Sequence, residues 1–147
     1  MELQPVAHVL GGREEPEDDD WGRETAVLRL ADHLDPECLV GLEGFSHLEV
    51  VFHFDRAQEW AGARHPRGNT DWPRVGIFAQ RGKDRPNRLG VSRCRLLAVD
   101  GRDLHVQGLD AIAGTPVLDI KPWMKEFAPQ GETTQPAWAT ELMAGYY

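Results

Sequence analysis

Four cationic side chains, Arg81, Lys83, Arg85 and Arg88, crowd a segment punctuated by Gly82, Pro86, Asn87 and Gly90. Guanidinium groups bind carboxylate or phosphate through paired, parallel N–H donors, so a loop rich in arginine is a natural anion grip. Clustered Gly, Pro and Asn mark a loop that needs special backbone angles. An apolar run over residues 75–79 enters this loop and residues 91–99 lead out of it, which predicts a loop slung between two strands. The same composition also fits a solvated, positively charged turn.

Net charge points to the same region. The chain carries −8, yet residues 56–95 hold ten of its sixteen Lys and Arg residues against only Glu59, Asp71 and Asp84. The local balance is +7 and the remainder of the chain sums to −15. A basic centre inside an acidic chain predicts a local site for an anionic ligand. It argues against broad, non-specific nucleic-acid binding, which relies on many phosphate contacts over a basic face. Arg56, Arg64 and Arg67 read equally well as loop solvation.

Other chemistries find less support. His47-x-Glu49-x-x-x-His53 suggests metal ligands, but on a strand six residues at about 3.3 Å each set the two imidazoles roughly 20 Å apart. They cannot share one ion, and no metal is expected. Cys38 and Cys94 are the only cysteines and form no CxxC, so neither a disulfide framework nor a thiolate zinc site is indicated. Ser46-His47 and Ser92 lack the setting of a nucleophile elbow, and neither a GxGxxG nor a GxxxxGK[ST] loop is present.

The elements that must position these residues read as mainly β. With 147 residues, 41% hydrophobic and 27% charged, the chain is expected to form a single domain with a real core. Strands are predicted over residues 6–10, 25–31, 47–54, 93–99, 104–107 and 117–120, the fourth and fifth forming a hairpin around Asp100-Gly101. Asp35-Pro36-Glu37 predicts the start of a short helix through Leu42, and residues 14–20 an acidic, solvated and mobile loop. Residues 57–73 read as a long polar loop. A short helix over 136–144 would align Trp138, Leu142 and Tyr146 on one face, packed on the domain or on a second subunit. No apolar run approaches the roughly 18 residues of a membrane span, and Met1-Glu-Leu-Gln does not open a signal peptide, so a cytoplasmic protein with no membrane partner is expected.

Several short motifs occur in a telling order: Gly76-Ile-Phe-Ala-Gln-Arg81, Arg85-Pro-Asn87, Gly90-Val-Ser92, Gly108-Leu-Asp110 and Gly114-Thr-Pro-Val-Leu-Asp-Ile-Lys-Pro122, with Gly41-Leu-Glu-Gly-Phe-Ser-His47 upstream. From about residue 5 to residue 123 the chain resembles the TsaA-like family. That family includes S-adenosylmethionine-dependent methyltransferases that modify threonylcarbamoyl-adenosine in tRNA, next to the anticodon. The resemblance implies a single-domain antiparallel β-barrel with short helices and long loops, not a Rossmann fold. The family core would cover residues 5–123, with 124–147 as a tail carrying a short helix. It also implies a homodimer, with Trp123, Trp138, Tyr146 and Tyr147 expected near the contact.

The same resemblance implies which residues hold S-adenosylmethionine: Ser46, His47, Arg81, Val91, Leu109, Asp110, Ala111 and Ile112. Arg81 would grip the methionine carboxylate and Asp110 would accept a hydrogen bond from the adenosine end. Arg85, Asn87 and Arg88 are candidate substrate-binding residues, and His47 and Asp110 candidate proton acceptors. By themselves Ser46 reads as a turn cap, Asp110 as a turn residue and Val91 as core. The acceptor would be the modified adenosine of tRNA or a smaller anionic molecule. A non-catalytic sensor of the cofactor, or an RNA-binding adaptor, would use the same arginine loop.

Two departures from the family pattern stand out. Leu10-Gly-Gly-Arg13 replaces an Arg-Ser-Pro-like stretch, and Arg88 replaces a proline, which adds charge at the site mouth and is expected to loosen the backbone. The bacterial tRNA enzymes of the family also carry a further C-terminal domain that residues 1–147 do not include, so weak and strongly salt-dependent tRNA contact is expected.

Overall fold

The computed structural model describes all residues from Met1 to Tyr147. Its strands are β1 (Ala7–Leu10), β2 (Thr25–Leu30), β3 (His47–His53), β4 (Ala63–Arg64), β5 (Val75–Gly76), β6 (Leu89–Asp100), β7 (Asp103–Gln107) and β8 (Pro116–Pro122). Six of them close an antiparallel barrel in the order β1-β2-β7-β6-β3-β8, while β4 and β5 pair as a separate ribbon. One α-helix, α1 (Ala137–Leu142), follows the last strand. No helix is long and apolar enough to cross a membrane.

Alternation builds the barrel. In β3, Leu48, Val50 and Phe52 are buried and the residues between them face outward, because successive side chains leave opposite faces of a strand. Across the β3–β6 ladder these three residues sit opposite Cys94, Ser92 and Gly90. Gly90 is where the packing is tightest: a Cβ there would lie 2.5 Å from Phe52 Cε2 and 2.9 Å from Phe54 Cζ. The two rings meet edge to face at 5.1 Å and fill the space that glycine leaves. A break in register between Leu96 and Ala98 lets the long β6 leave β3 and continue along β7.

The expected strands are present, with shifted bounds. Residues 35–42 do not form one helix. Two 3-10 turns, Pro36–Leu39 and Leu42–Gly44, are separated by an extended Val40 and by Gly41 at φ +94°. Asp35 caps the first by accepting from the Glu37 amide at 2.8 Å. The loop over 57–73 contains β4 and a 3-10 turn at Pro66–Gly68. The run over 75–79 is not a barrel strand either: only Val75–Gly76 is extended, and Ile77–Ala79 is a 3-10 turn. The arginine loop therefore runs from this ribbon into β6, which begins at Leu89, earlier than its β-branched residues suggest.

The acidic segment is tied down rather than simply solvated. Arg67 meets Asp19 at 3.0 Å and Asp18 at 3.8 Å, Arg56 meets Glu15 at 3.2 Å, and Arg13 donates to the Asp19 carbonyl at 2.8 Å. Two arginines of the basic centre are thereby engaged by the chain's own carboxylates. Such exposed pairs add little stability singly, but together they fix where residues 14–20 lie.

Candidate functional site

The special backbone angles of the arginine loop fall on Asn87 (φ +61°) and Arg88 (φ +51°), not on its glycines. Proline is locked near φ −65° and could not occupy position 88 in this conformation. Arg88 does not merely loosen the loop, as the sequence suggested: its Nη1 donates to the Ala57 carbonyl at 3.1 Å. Arg85 is similarly engaged, donating to the carbonyls of Gln80 at 2.8 Å and Gly82 at 3.3 Å. Asp84 accepts from the Gln58 amide at 2.9 Å, and that bond, with help from Lys83, holds its carboxyl below the usual carboxylate range. These contacts shape the loop. Among the three candidate substrate residues Asn87 alone is exposed, and Arg85 and Arg88 are half-buried.

What the shaped loop presents is Arg81. Its Nη2 donates to the Val91 carbonyl at 2.8 Å, and its other N–H groups make no bond within the chain. An exposed guanidinium pinned at one corner, with donors to spare, suits a carboxylate or phosphate. Behind it, the inward face of β6 carries Ser92 and Cys94, buried at 3% and 2% exposure. Burial, and secondarily the charge of Asp110, push the Cys94 thiol up to about 12, so it stays protonated and serves as packing.

The stretch from Gly108 to Thr115 connects β7 to β8. Leu109 and Ala111 join the hydrophobic core, while Asp110 and Ile112 are half-buried between them. One oxygen of Asp110, Oδ2, accepts a hydrogen bond from Tyr146 Oη. The other, Oδ1, is buried without a partner, and Ser92 Oγ is the only other buried side-chain polar atom in that condition. Buried polar atoms are nearly always paired with protein, water or ligand, so two orphans in one place mark a site. Tyr147, exposed at 68% overall, reaches both with its phenol, which partial desolvation first and then the charge of Asp110 raise, with Arg81 and the nearby Ser92 hydroxyl acting in the opposite sense.

The structure thus brings Arg81, Val91 and Asp110 to one region and adds Ser92, Tyr146 and Tyr147, which the sequence did not single out as site residues. Tyr146 is not on a helix face with Trp138 and Leu142, because α1 ends at Leu142 and Gly145 at φ +75° turns the chain. Ser46 and His47 lie apart. His47 pairs with Arg95, four residues along β6 from Val91, about 13 Å at 3.3 Å per residue. There Ser46 Oγ meets His47 Nδ1 at 2.7 Å, which leaves Nε2 of an exposed ring free. Two open clefts lie elsewhere, one of about 320 Å³ beside Leu39 and Val99, the other of about 410 Å³ beside Leu10 and His105, and neither is lined by Arg81, Ser92 or Asp110.

Residues 13–128 match a family model described as the tRNA-methyltransferase O N-terminal domain. A human protein named tRNA (adenine(37)-N6)-methyltransferase is 38% identical over 112 residues, covering 71% of this chain and 25% of that protein. A probable S-adenosyl-L-methionine-binding protein of Archaeoglobus fulgidus is 34% identical over 134 residues, covering 82% of this chain and 36% of that one. Among solved structures, TrmO from Pseudomonas aeruginosa superposes with a TM-score of 0.76 at 26% identity, covering 94% of this chain and 61% of its own. The chain spans less than half the length of these curated relatives.

Proposed function

The chain belongs to the tRNA-methyltransferase O N-terminal domain family, and on that premise we propose that it is an S-adenosylmethionine-dependent methyltransferase acting on an adenine of tRNA. The observation that supports this most directly is the convergence around Tyr147 of the Arg81 guanidinium, bonded only to the Val91 carbonyl, with the unpartnered Asp110 Oδ1 and Ser92 Oγ. These groups fit the cofactor in kind: a guanidinium for the amino-acid carboxylate and a carboxylate oxygen for a donor of the adenosine end. When bound, S-adenosylmethionine supplies an electrophilic methyl group on a sulfonium, so the protein's tasks are alignment, exclusion of water and removal of a proton.

Arg81 and Asp110 would fix the two ends of the donor, with Val91, Ile112 and the backbone of Leu109 and Ala111 along it. Of the two candidate proton acceptors we favour His47. With Nδ1–H donating to Ser46 Oγ, its Nε2 offers a free lone pair, whereas Asp110 already accepts from Tyr146. A base must still come within hydrogen-bond reach of the proton it takes, so this role requires the acceptor to lie between His47 and the donor. We propose threonylcarbamoyl-adenosine as the acceptor and the cytoplasm as the compartment. A homodimer is also proposed: Leu89 and Leu97 expose apolar surface on the outer face of β6, with Tyr147 exposed beside the site. Light scattering should return twice the 16.5 kDa chain mass, and a single mass at tens of micromolar would refute the dimer.

The functional test is transfer of labelled methyl groups to tRNA bearing threonylcarbamoyl-adenosine, beside unmodified tRNA and a panel of small anionic metabolites. Labelling of the modified tRNA alone is the expected result. Transfer should fall as salt rises, because the contact is with phosphate, and the engagement of Arg56 and Arg67 by residues 14–20 should keep that contact weak. Transfer only to a small molecule would overturn the tRNA assignment, and no transfer to any acceptor would overturn the enzyme.

A further inference from the structure

The segment after β8 returns to the barrel mouth and is held there by several independent contacts. Trp72 Nε1 donates to Glu141 Oε2 at 2.8 Å and anchors α1 to the loop preceding the arginines. The amides of Asp20 and Trp21 donate to the carbonyls of Gly145 at 3.0 Å and Tyr146 at 2.8 Å. Gly22 lies so close to Tyr147 that a Cβ on it would stand 2.7 Å from that residue's carbonyl carbon. Tyr147 packs edge to face on Tyr146 at 5.0 Å. This is a built contact, specified by glycine on one side and paired backbone on the other.

Its consequence is chemical. Tyr146 Oη donates to Asp110 Oδ2 and so fixes the rotation of that carboxylate, with Oδ1 left as a buried acceptor lacking a donor. Unpaired, such an oxygen costs free energy that a ligand hydroxyl or amino group would relieve. Resting on the cofactor reading above, we infer that Tyr146 is a positioning residue of the cofactor site, acting through Asp110 to aim Oδ1 at a hydrogen-bond donor on the adenosine moiety. The segment 136–147 is then a wall of the site, not an appendage, and ligand choice at that end depends on it.

The test uses calorimetry with S-adenosylhomocysteine and with analogues that each lack one donor, a ribose hydroxyl or the adenine amino group. Wild-type protein should bind the parent compound and lose about tenfold with one of the analogues, the size of one hydrogen bond to a charged group. Tyr146→Phe, which keeps the ring, should bind the parent about tenfold more weakly and distinguish that analogue from it by less than threefold. Asp110→Asn should erase the same discrimination, and Tyr146→Phe should then add no further loss. A segment that merely stabilised the fold would lower the melting temperature of Tyr146→Phe and leave the analogue penalty intact. That result, or unchanged binding by Tyr146→Phe, overturns this inference and spares the cofactor reading. No binding by the wild type at millimolar ligand overturns both.

Discussion

Gly90→Ala is expected to lower the melting temperature by about 2–12 °C. Overpacking a filled core costs about 1–3 kcal/mol, and each kcal/mol shifts a domain of this size by about 2–4 °C. The added methyl would stand 2.5 Å from Phe52 Cε2, and Phe52 is 1% exposed, so the ring cannot retreat into solvent. Gly90→Val should be worse, since its second methyl meets the same rings. The cause is open to test by a double-mutant comparison: in a Phe52→Leu background, Gly90→Ala should cost less than in the wild type, because the clashing ring atoms are gone. A Gly90→Ala protein that melts with the wild type, or costs that simply add, would show that β6 yields at this point.

Arg81→Ala should weaken binding of S-adenosylhomocysteine by about 10- to 150-fold, the equivalent of about 1.5–3 kcal/mol for a hydrogen bond to a charged partner. Its own contacts make a stability effect small: it is exposed and its single internal bond goes to the Val91 carbonyl. Arg81→Lys should recover part of the loss, because it restores the charge but not the paired donors. Arg85→Ala and Arg88→Ala should behave differently, disturbing the loop before they disturb the ligand, since both guanidinium groups are bound to loop carbonyls. Calorimetry beside thermal melting separates the cases. Equal affinity for Arg81→Ala and wild type would remove Arg81 from the site.

The sequence carried the barrel because alternation in β3 and the Asp100-Gly101 turn are local signals. It carried the arginine loop because charge and turn residues cluster there. Roles inside that loop were not legible. Arg81, Arg85 and Arg88 are the same residue type a few positions apart, and only the carbonyls around them decide which stays free. Gly90 read as loop chemistry although its role is to lie under Phe52, a contact between residues far apart in sequence. Tyr146 fitted a helical period with Trp138 and Leu142 until Gly145 turned the chain, and its partner Asp110 lies 36 residues away. The one available cue was the pair of aromatic residues, Tyr146 and Tyr147, just beyond that glycine. Ser46 and His47 showed the reverse: family order joined them to Arg81, but the β3–β6 register sets them apart along the strand.

The most direct measurement is a crystal structure of the chain grown with S-adenosylhomocysteine. The ligand carboxylate is expected on Arg81 and a donor of its adenosine end within about 3 Å of Asp110 Oδ1, with Tyr146 still on Oδ2. Ligand found instead in the cleft beside Leu10 and His105, or bound without contact to either Arg81 or Asp110, would contradict this placement.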